Sequence, residues 1–235
     1  MSKREQQRKI KEQKQQAAKK REQTKQVLFK IGTFGVAPLL VLFVVYTLLT
    51  QGPTYSPVEI AETDHVRGLS DNPVSIVVYA DFQCPACATE HEDMTRVWPE
   101  IRDKAFLVFR HFPITTSHPH SWMASLYAEA AGRQGRFWEM HDYLFATQSV
   151  WAQLPDAEGQ FDAYALELNL DLDQLHADME DDELIAKLRS DQRGGSAAGV
   201  RGTPAVFING RQLARLTRDR IIEVVEEEYA ELGGD

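Results

Sequence analysis

Two cysteines, Cys84 and Cys87, are the residues of this chain best suited to redox chemistry, and two residues separate them. The 235-residue sequence contains no other cysteine, so it cannot carry a framework of several structural disulfides. A bond across so short a loop removes little entropy from the unfolded chain and adds little stability. The pair is therefore better suited to exchanging disulfides with other thiols than to holding a fold together.

Two other uses of the cysteines stay open at this point. A structural zinc site needs four ligands, and the sequence has no second pair of cysteines to supply them. His118 and His120 could complete a set of two cysteines and two histidines, but Pro119 separates them and the usual gap of about three to five residues is missing. A surface disulfide without function is the second alternative.

The residues around the pair predict a strand followed by a helix. The apolar, β-branched run 74–79 is typical of a buried strand, and a helix is expected from 88 to about 97, ended by the Trp98-Pro99 pair. Pro85 suits the first helical turn, whose N–H groups lack partners within the helix. The positive end of the helix should lower the pKa of Cys84 below about 8.5, and Cys87 should be more buried.

The remaining elements predict an α/β fold of the thioredoxin-like class with an inserted helical domain. A second strand is expected over 105–110, which gives a strand–helix–strand unit with parallel strands. Apolar residues recur at helical spacing from about 120 to 198 and predict four or five helices, so the insertion is placed at about 115–199. A strand over 205–208, a hairpin at Asn209-Gly210 and a helix over 218–232 complete the domain, assigned to 71–235.

The charge distribution predicts a membrane anchor ahead of this domain. Residues 1–30 carry a net charge of +8, which leaves −17 on the rest of a chain whose total is −9. An acidic domain argues against a nucleic-acid partner. The 19 residues 31–49 contain no charge, and the expected order is a basic cytoplasmic tail (1–26), one transmembrane helix (27–49) in contact with membrane lipid, and a linker (50–70). A cleaved signal peptide is disfavoured, because no small-x-small site follows the apolar run.

Several motifs together resemble the DsbA-like thiol–disulfide oxidoreductases of thioredoxin fold, in their membrane-anchored form. The motifs are Asp81-Phe82-Gln83-Cys84-Pro85-Ala86-Cys87, Phe109-Arg110-His111-Phe112-Pro113, His118-Pro119-His120, Gly135-Arg136-Phe137-Trp138-Glu139-Met140-His141 and Gly202-Thr203-Pro204-Ala205-Val206-Phe207-Ile208-Asn209-Gly210. The resemblance covers about 71–228. It implies that Cys84 and Cys87 are catalytic, that Pro204 is a cis-proline, and that Pro85, Ala86, Thr203 and Pro204 contact the substrate.

The resemblance also implies a function and a set of partners. The disulfide would oxidise cysteine pairs in newly exported polypeptides outside the cytoplasm, and a quinone-linked membrane protein of the DsbB or VKOR type would reoxidise it. No metal and no cofactor are expected. A disulfide reductase or isomerase, and a redox-inactive thioredoxin-like chaperone, are the alternative functions.

One departure from the family pattern affects the expected strength of the oxidant. DsbA has a histidine where this chain has Ala86, and Ala86 supplies no donor and no positive charge. DsbA's reactive thiol has a pKa of about 3.5 and its reduction potential is about −120 mV. We therefore expect a weaker oxidant than DsbA. Asp81 could relay protons or cap a turn, and His91 is expected to be packed or exposed without a catalytic role.

Overall fold

The structure, a computed structural model, describes residues 20–22, 24–26, 37–50 and 56–233. It divides into two compact units, 1–52 and 53–235. In the first unit, helix α1 (Ala37–Thr50) exposes its apolar side chains over 37–46. Part of the predicted transmembrane helix, 27–36, and most of the predicted tail lie outside the described residues. Every helix in the described residues is too short or too polar to span a bilayer.

The second unit is built on a five-stranded mixed sheet. Its strands are β1 (His65–Arg67), β2 (Val74–Ala80), β3 (Ala105–His111), β4 (Ala205–Ile208) and β5 (Arg211–Gln212), in the order β1-β3-β2-β4-β5. Strands β2 and β3 are parallel and are joined by helix α2 (Pro85–Ile101), which confirms the predicted strand–helix–strand unit. The other three pairings are antiparallel. The β4–β5 turn has positive φ at Asn209 and Gly210, as the hairpin prediction requires.

The prediction that 50–70 is a linker is wrong for its second half. Strand β1 pairs with β3 in the sheet, and the segment before it is held by Arg110, whose side chain is fully buried. The Arg110 guanidinium donates to the Asp64 carboxylate at 2.8 Å and to the carbonyl oxygens of Ser56 and Glu59 at 2.7 and 2.5 Å. A buried guanidinium needs such hydrogen-bond partners. No short-range pattern in the sequence predicts which residues they are.

Helices lie between β2 and β3, between β3 and β4, and after β5. They are α2 (Pro85–Ile101), α3 (Ser121–Arg133), α4 (Phe137–Ala146), α5 (Gln148–Trp151), α6 (Glu158–Glu167), α7 (Leu172–Met179), α8 (Asp182–Ala197) and α9 (Arg218–Glu231). Six of them, α3–α8, lie between β3 and β4 in a stretch that is fully described, against four or five predicted. The extra one is α5, whose four residues are too few for a visible period.

The helix end predicted at Trp98-Pro99 is absent from the structure of this domain. Helix α2 continues past Pro99 and ends two residues later, at Ile101, although the proline removes one intrahelical hydrogen bond. Helix α8 runs through Gly194-Gly195 without interruption. A Cβ atom at Gly195 would lie 2.8 Å from the Phe112 ring and 2.9 Å from the Tyr79 ring, so the glycine permits close packing on the sheet rather than a bend.

Side chains of the central strands point alternately to the two faces of the sheet, and each face carries its own hydrophobic core. On one face, Ile76 and Val78 of β2 belong to the larger core, which includes both cysteines and residues of α2, α9 and the insertion. On the other face, Val77 and Tyr79 belong to a smaller core. The end of β2 therefore delivers the cysteines to the side of the sheet that carries the larger core.

Candidate functional site

The reactive pair lies where β2 gives way to α2. Cys84 occupies the N-cap position in extended conformation, and Pro85 begins the helix, as the sequence predicts. The N–H groups of Cys87 and Ala88 donate to the Cys84 carbonyl oxygen at 3.0 and 3.2 Å. Cys84 is 8% exposed and Cys87 is fully buried, so only the first sulphur is open to attack from outside.

A second loop faces the pair from the start of β4. The peptide bond between Thr203 and Pro204 is cis, as the resemblance implies, and both residues are half-buried. The sulphur of Cys84 lies 3.6 Å from the Thr203 carbonyl oxygen. Pro85 and Ala86 are exposed beside them. The structure therefore brings the residues that the resemblance assigns to substrate binding to one surface around Cys84.

The two thiols have pKa values shifted in opposite directions. A hydrogen bond from the Cys87 thiol is the main reason that the pKa of Cys84 falls from 9.0 to about 5; burial opposes the shift, and the backbone N–H groups and the nearby Thr203 hydroxyl support it. Burial raises the pKa of Cys87 far above its ordinary value, and its hydrogen bond to Cys84 adds to the rise. The sequence predicts a lowered pKa for Cys84 because of the helix terminus. In the structure, the hydrogen bond from the Cys87 thiol is the largest cause of the lowered pKa.

Asp81 holds the turn in front of the cysteines. Its buried carboxylate accepts hydrogen bonds from the N–H groups of Gln83 and Ile114 at 2.8 and 2.7 Å and from Nδ1 of His118 at 2.8 Å. Its own N–H donates to the Cys87 sulphur at 3.5 Å. Of the two roles considered for Asp81, these contacts support the turn cap. His118 thus orients Asp81, a role that the sequence does not reveal.

The helical insertion fixes the same turn from its other side. The Gln148 side chain donates to the carbonyl oxygens of Phe82 and Cys84 at 2.7 and 3.0 Å. The Gln83 side chain donates to the carbonyl oxygen of Ala152 at 2.8 Å. Gln148 is 64 residues from Cys84 in sequence, and a lone glutamine carries no signal of such a contact. The position of Cys84 therefore depends on the insertion as well as on α2.

The remaining histidines near the site have structural partners. His120, considered with His118 as a zinc ligand, lies with Nε2 at 2.8 Å from the Leu154 carbonyl oxygen. His91 is half-buried and stacks on Phe145 at 5.0 Å between ring centroids, in line with the packed role expected for it.

Solved structures share the fold of this chain. A thioredoxin-like oxidoreductase from Silicibacter pomeroyi superposes with a TM-score of 0.63 at 23% identity, covering 73% of this chain and 94% of that protein. BdbD from Bacillus subtilis, in its oxidised form, gives 0.66 at 20% identity, with 76% and 100% covered. The α-DsbA1 protein of Wolbachia pipientis gives 0.65 at 19% identity, with 73% and 94% covered.

Sequence relatives and a family model complete the comparison. The Na⁺/H⁺ antiporter NhaA 1 of Salinispora arenicola is 38% identical over 151 residues, which are 64% of this chain and 22% of the antiporter. The chain thus spans about a fifth of the length of such curated relatives. The sequence model described as thioredoxin matches residues 60–227, which include both cysteines and the cis-proline. This chain therefore belongs to the thioredoxin family.

Proposed function

We propose that this chain is a DsbA-type thiol–disulfide oxidoreductase that introduces disulfides into exported polypeptides through Cys84 and Cys87. The observation that carries the proposal is the Cys84 sulphur, which lies beside the Thr203 carbonyl and has a pKa of about 5. A sulphur that is stable as a thiolate is a good leaving group from a mixed disulfide. The same stabilisation favours the reduced pair over its disulfide, which makes the pair an oxidant.

The reaction transfers two electrons from a substrate dithiol to the enzyme disulfide. A substrate thiolate attacks the Cys84 sulphur, because Cys87 is buried; the bond between Cys84 and Cys87 breaks, and Cys87 leaves and takes up a proton. The second substrate thiolate then attacks the substrate sulphur of the mixed disulfide and releases the Cys84 thiolate. The substrate ends as a disulfide and the enzyme as a thiol and a thiolate, with one proton released to solvent.

The surface around Cys84 suits an extended, partly apolar chain. The backbone of Thr203 is available to pair with a substrate strand, in the manner of strand addition. Exposed apolar side chains lie on the adjoining segment of the insertion, Val150 at 54% and Leu154 at 36%, just after Gln148, which bonds the Cys84 carbonyl.

Membrane anchoring and reoxidation belong to the same proposal. The uncharged run 31–49 and the exposed apolar residues of α1 support an N-terminal anchor, with the basic tail in the cytoplasm and the catalytic unit outside it. A reduced enzyme has to lose two electrons before the next turnover. A quinone-linked membrane protein of the DsbB or VKOR type would accept them, and membrane lipid would surround the anchor.

The redox state of the two thiols in cells tests the direction of the reaction. We expect mostly disulfide on acid trapping and gel shift, and a reduction potential above the value of about −270 mV that is typical of thioredoxin. A mostly reduced pair with a potential near that value would make the chain a reductase or isomerase. Substrate holding that survives replacement of both cysteines by serine, without thiol oxidation by the wild type, would make it a chaperone.

A further inference from the structure

Three side chains with metal-binding chemistry converge behind the active site, between α2 and α4. Nε2 of His91 lies 3.9 Å from Oδ1 of Asp142, and Nδ1 of His141 lies 2.8 Å from the same oxygen. One ligand atom from each residue lies within 4.8 Å of the other two. Ligand atoms of a tetrahedral zinc ion are about 3.4 Å apart, so small side-chain rotations would bring the three to binding distance.

We propose that His91, His141 and Asp142 bind one divalent transition-metal ion, for which zinc is the best fit. Two imidazoles and one carboxylate are ligands that zinc accepts, and three protein ligands leave a fourth position for water. The side chain of Asp142 is 46% exposed, whereas that of His141 is 4% exposed. An ion can therefore enter from solvent past Asp142 and be held by the buried imidazole.

Arg67 is the charged group that faces the ligands most directly. Its Nη2 lies 2.8 Å from Oδ1 and 2.7 Å from Oδ2 of Asp142, and its guanidinium stacks over the Trp138 ring at 4.3 Å. An ion on Oδ1 would leave the Arg67 contact to Oδ2 intact. Hydrogen bonds of this kind orient ligating carboxylates in metal sites, so Arg67 can serve as their partner.

Glu90 is a buried carboxyl group beside the proposed ligands. It is 7% exposed, and within the described part of the chain its Oε1 has no hydrogen-bond partner. It lines a small cavity together with His91 and His141. A buried carboxyl group without a partner is costly, and a nearby cation would lower that cost.

A second cluster of the same residue types has no room for a metal ion. His111, Glu129 and Asp191 also lie within 4.8 Å of one another. The ammonium of Lys187, however, lies 2.8 Å from Glu129 and 2.7 Å from Asp191, so a cation is already present between the carboxylates. At the proposed site the Arg67 guanidinium contacts the single carboxylate of Asp142, and it can keep its contact to Oδ2 when an ion binds Oδ1.

The proposed ion would connect two parts of the catalytic unit. His91 belongs to α2, the helix that begins beside Cys84, and the other two ligands belong to α4 of the insertion. A metal bound to both helices would hold the insertion against the catalytic helix. Binding should therefore raise the thermal unfolding temperature of the chain, because the ion binds the folded state and not the unfolded one.

The test uses the full chain without a histidine tag and with Cys84→Ser and Cys87→Ser, so that neither sulphur can hold the metal. We expect calorimetry to give one Zn²⁺ per chain, Co²⁺ to give the visible bands of a tetrahedral ion, and Zn²⁺ to raise the unfolding temperature. His91→Ala and Asp142→Asn, which each remove one ligand atom, should weaken binding by more than the roughly 10–100-fold that loss of an outer-sphere partner costs. His176→Ala is the control, since His176 bonds Asp162 at 2.8 Å in a pair with a single histidine.

Three outcomes would overturn the proposal. These are an absence of Zn²⁺ and Co²⁺ binding in the cysteine-free chain, equal affinity in the His91→Ala and His176→Ala variants, or a cobalt spectrum without tetrahedral bands. Circular dichroism of each variant before titration separates loss of a ligand from loss of fold. Asp142→Asn keeps the size of the side chain and so provides a test if His91→Ala unfolds.

Discussion

The active-site turn and the charged cluster of Glu129, Lys187, Asp191 and His111 are both buried, but they stabilise charge in different ways. In the cluster, the Lys187 ammonium lies between two carboxylates, and it holds the pKa of Glu129 well below its usual range despite burial. At the turn, neutral hydrogen-bond donors stabilise the Cys84 thiolate, and no cation contributes to the lowering of its pKa. Paired charges give structure, whereas an anion without a counter-ion is left available for chemistry.

The largest effect should come from removing the unpaired anion. Cys84→Ser should reduce the oxidation of a dithiol peptide to the uncatalysed rate, because a hydroxyl cannot form the disulfide that carries the electrons. The rate is measured with a peptide whose fluorescence is quenched when its two cysteines form a disulfide. Cys87→Ser is the informative partner: it should stop turnover yet trap a mixed disulfide between substrate and Cys84. Turnover by Cys84→Ser would contradict the assignment.

Removing the cation of the charged cluster should damage the fold. Lys187→Met leaves two buried carboxylates without their partner and should lower the free energy of unfolding by about 3–5 kcal/mol. Lys104→Met, which removes a partly exposed ion pair with Glu226, should cost at most about 1 kcal/mol. Urea denaturation measures both. Equal losses in the two variants would show that the cluster adds no special stability.

The lowered pKa of Cys84 should make the stability of the reduced chain depend on pH. The folded value is about 5 and the ordinary value is 9.0, so the unfolded chain binds the proton more tightly. The stabilisation is complete above the unfolded value and is lost as pH falls towards 5. The unfolding free energy of the reduced chain, relative to Cys84→Ser, should therefore rise from about pH 5 to about pH 9. If this difference in unfolding free energy stayed constant or fell as the pH rose, Cys84 would not be a stabilised thiolate in the folded chain.

A smaller effect should follow from removing one donor. Thr203→Val keeps the shape of the side chain but deletes the hydroxyl that helps to lower the pKa of Cys84. One hydrogen bond is worth about 1 kcal/mol, so the pKa should rise by up to about one unit in a thiolate absorbance titration. Thr89→Val is the matched control, because that hydroxyl bonds the Pro85 carbonyl and should leave the pKa unchanged.

The features predicted correctly from the sequence are those with local causes. The strand before Cys84, the helix start at Pro85 and the turn at Asn209-Gly210 each follow from neighbouring residues. The sequence also identified Cys84 as the more accessible and more acidic thiol. In each case the relevant interaction lies within about one helical turn or one strand.

The features that the sequence did not reveal depend on contacts between distant residues. Arg110 ties the segment around Asp64 to the sheet across 46 residues, which is why the linker was placed too far along the chain. Gln148 reaches the active-site turn across 64 residues, and His118 reaches Asp81 across 37. Single polar residues of this kind have no period and no motif, so only the folded arrangement shows their role.

The central claim is that one sulphur of the pair is a stabilised thiolate with a small solvent-accessible surface, while the other is a fully buried thiol. The pH dependence of alkylation by iodoacetamide, followed by mass spectrometry of each cysteine in the reduced chain, tests it most directly. We predict that Cys84 reacts with a midpoint near pH 5 and that Cys87 stays unmodified at neutral pH. Equal reaction of the two cysteines, or a Cys84 midpoint near pH 9, would contradict the account.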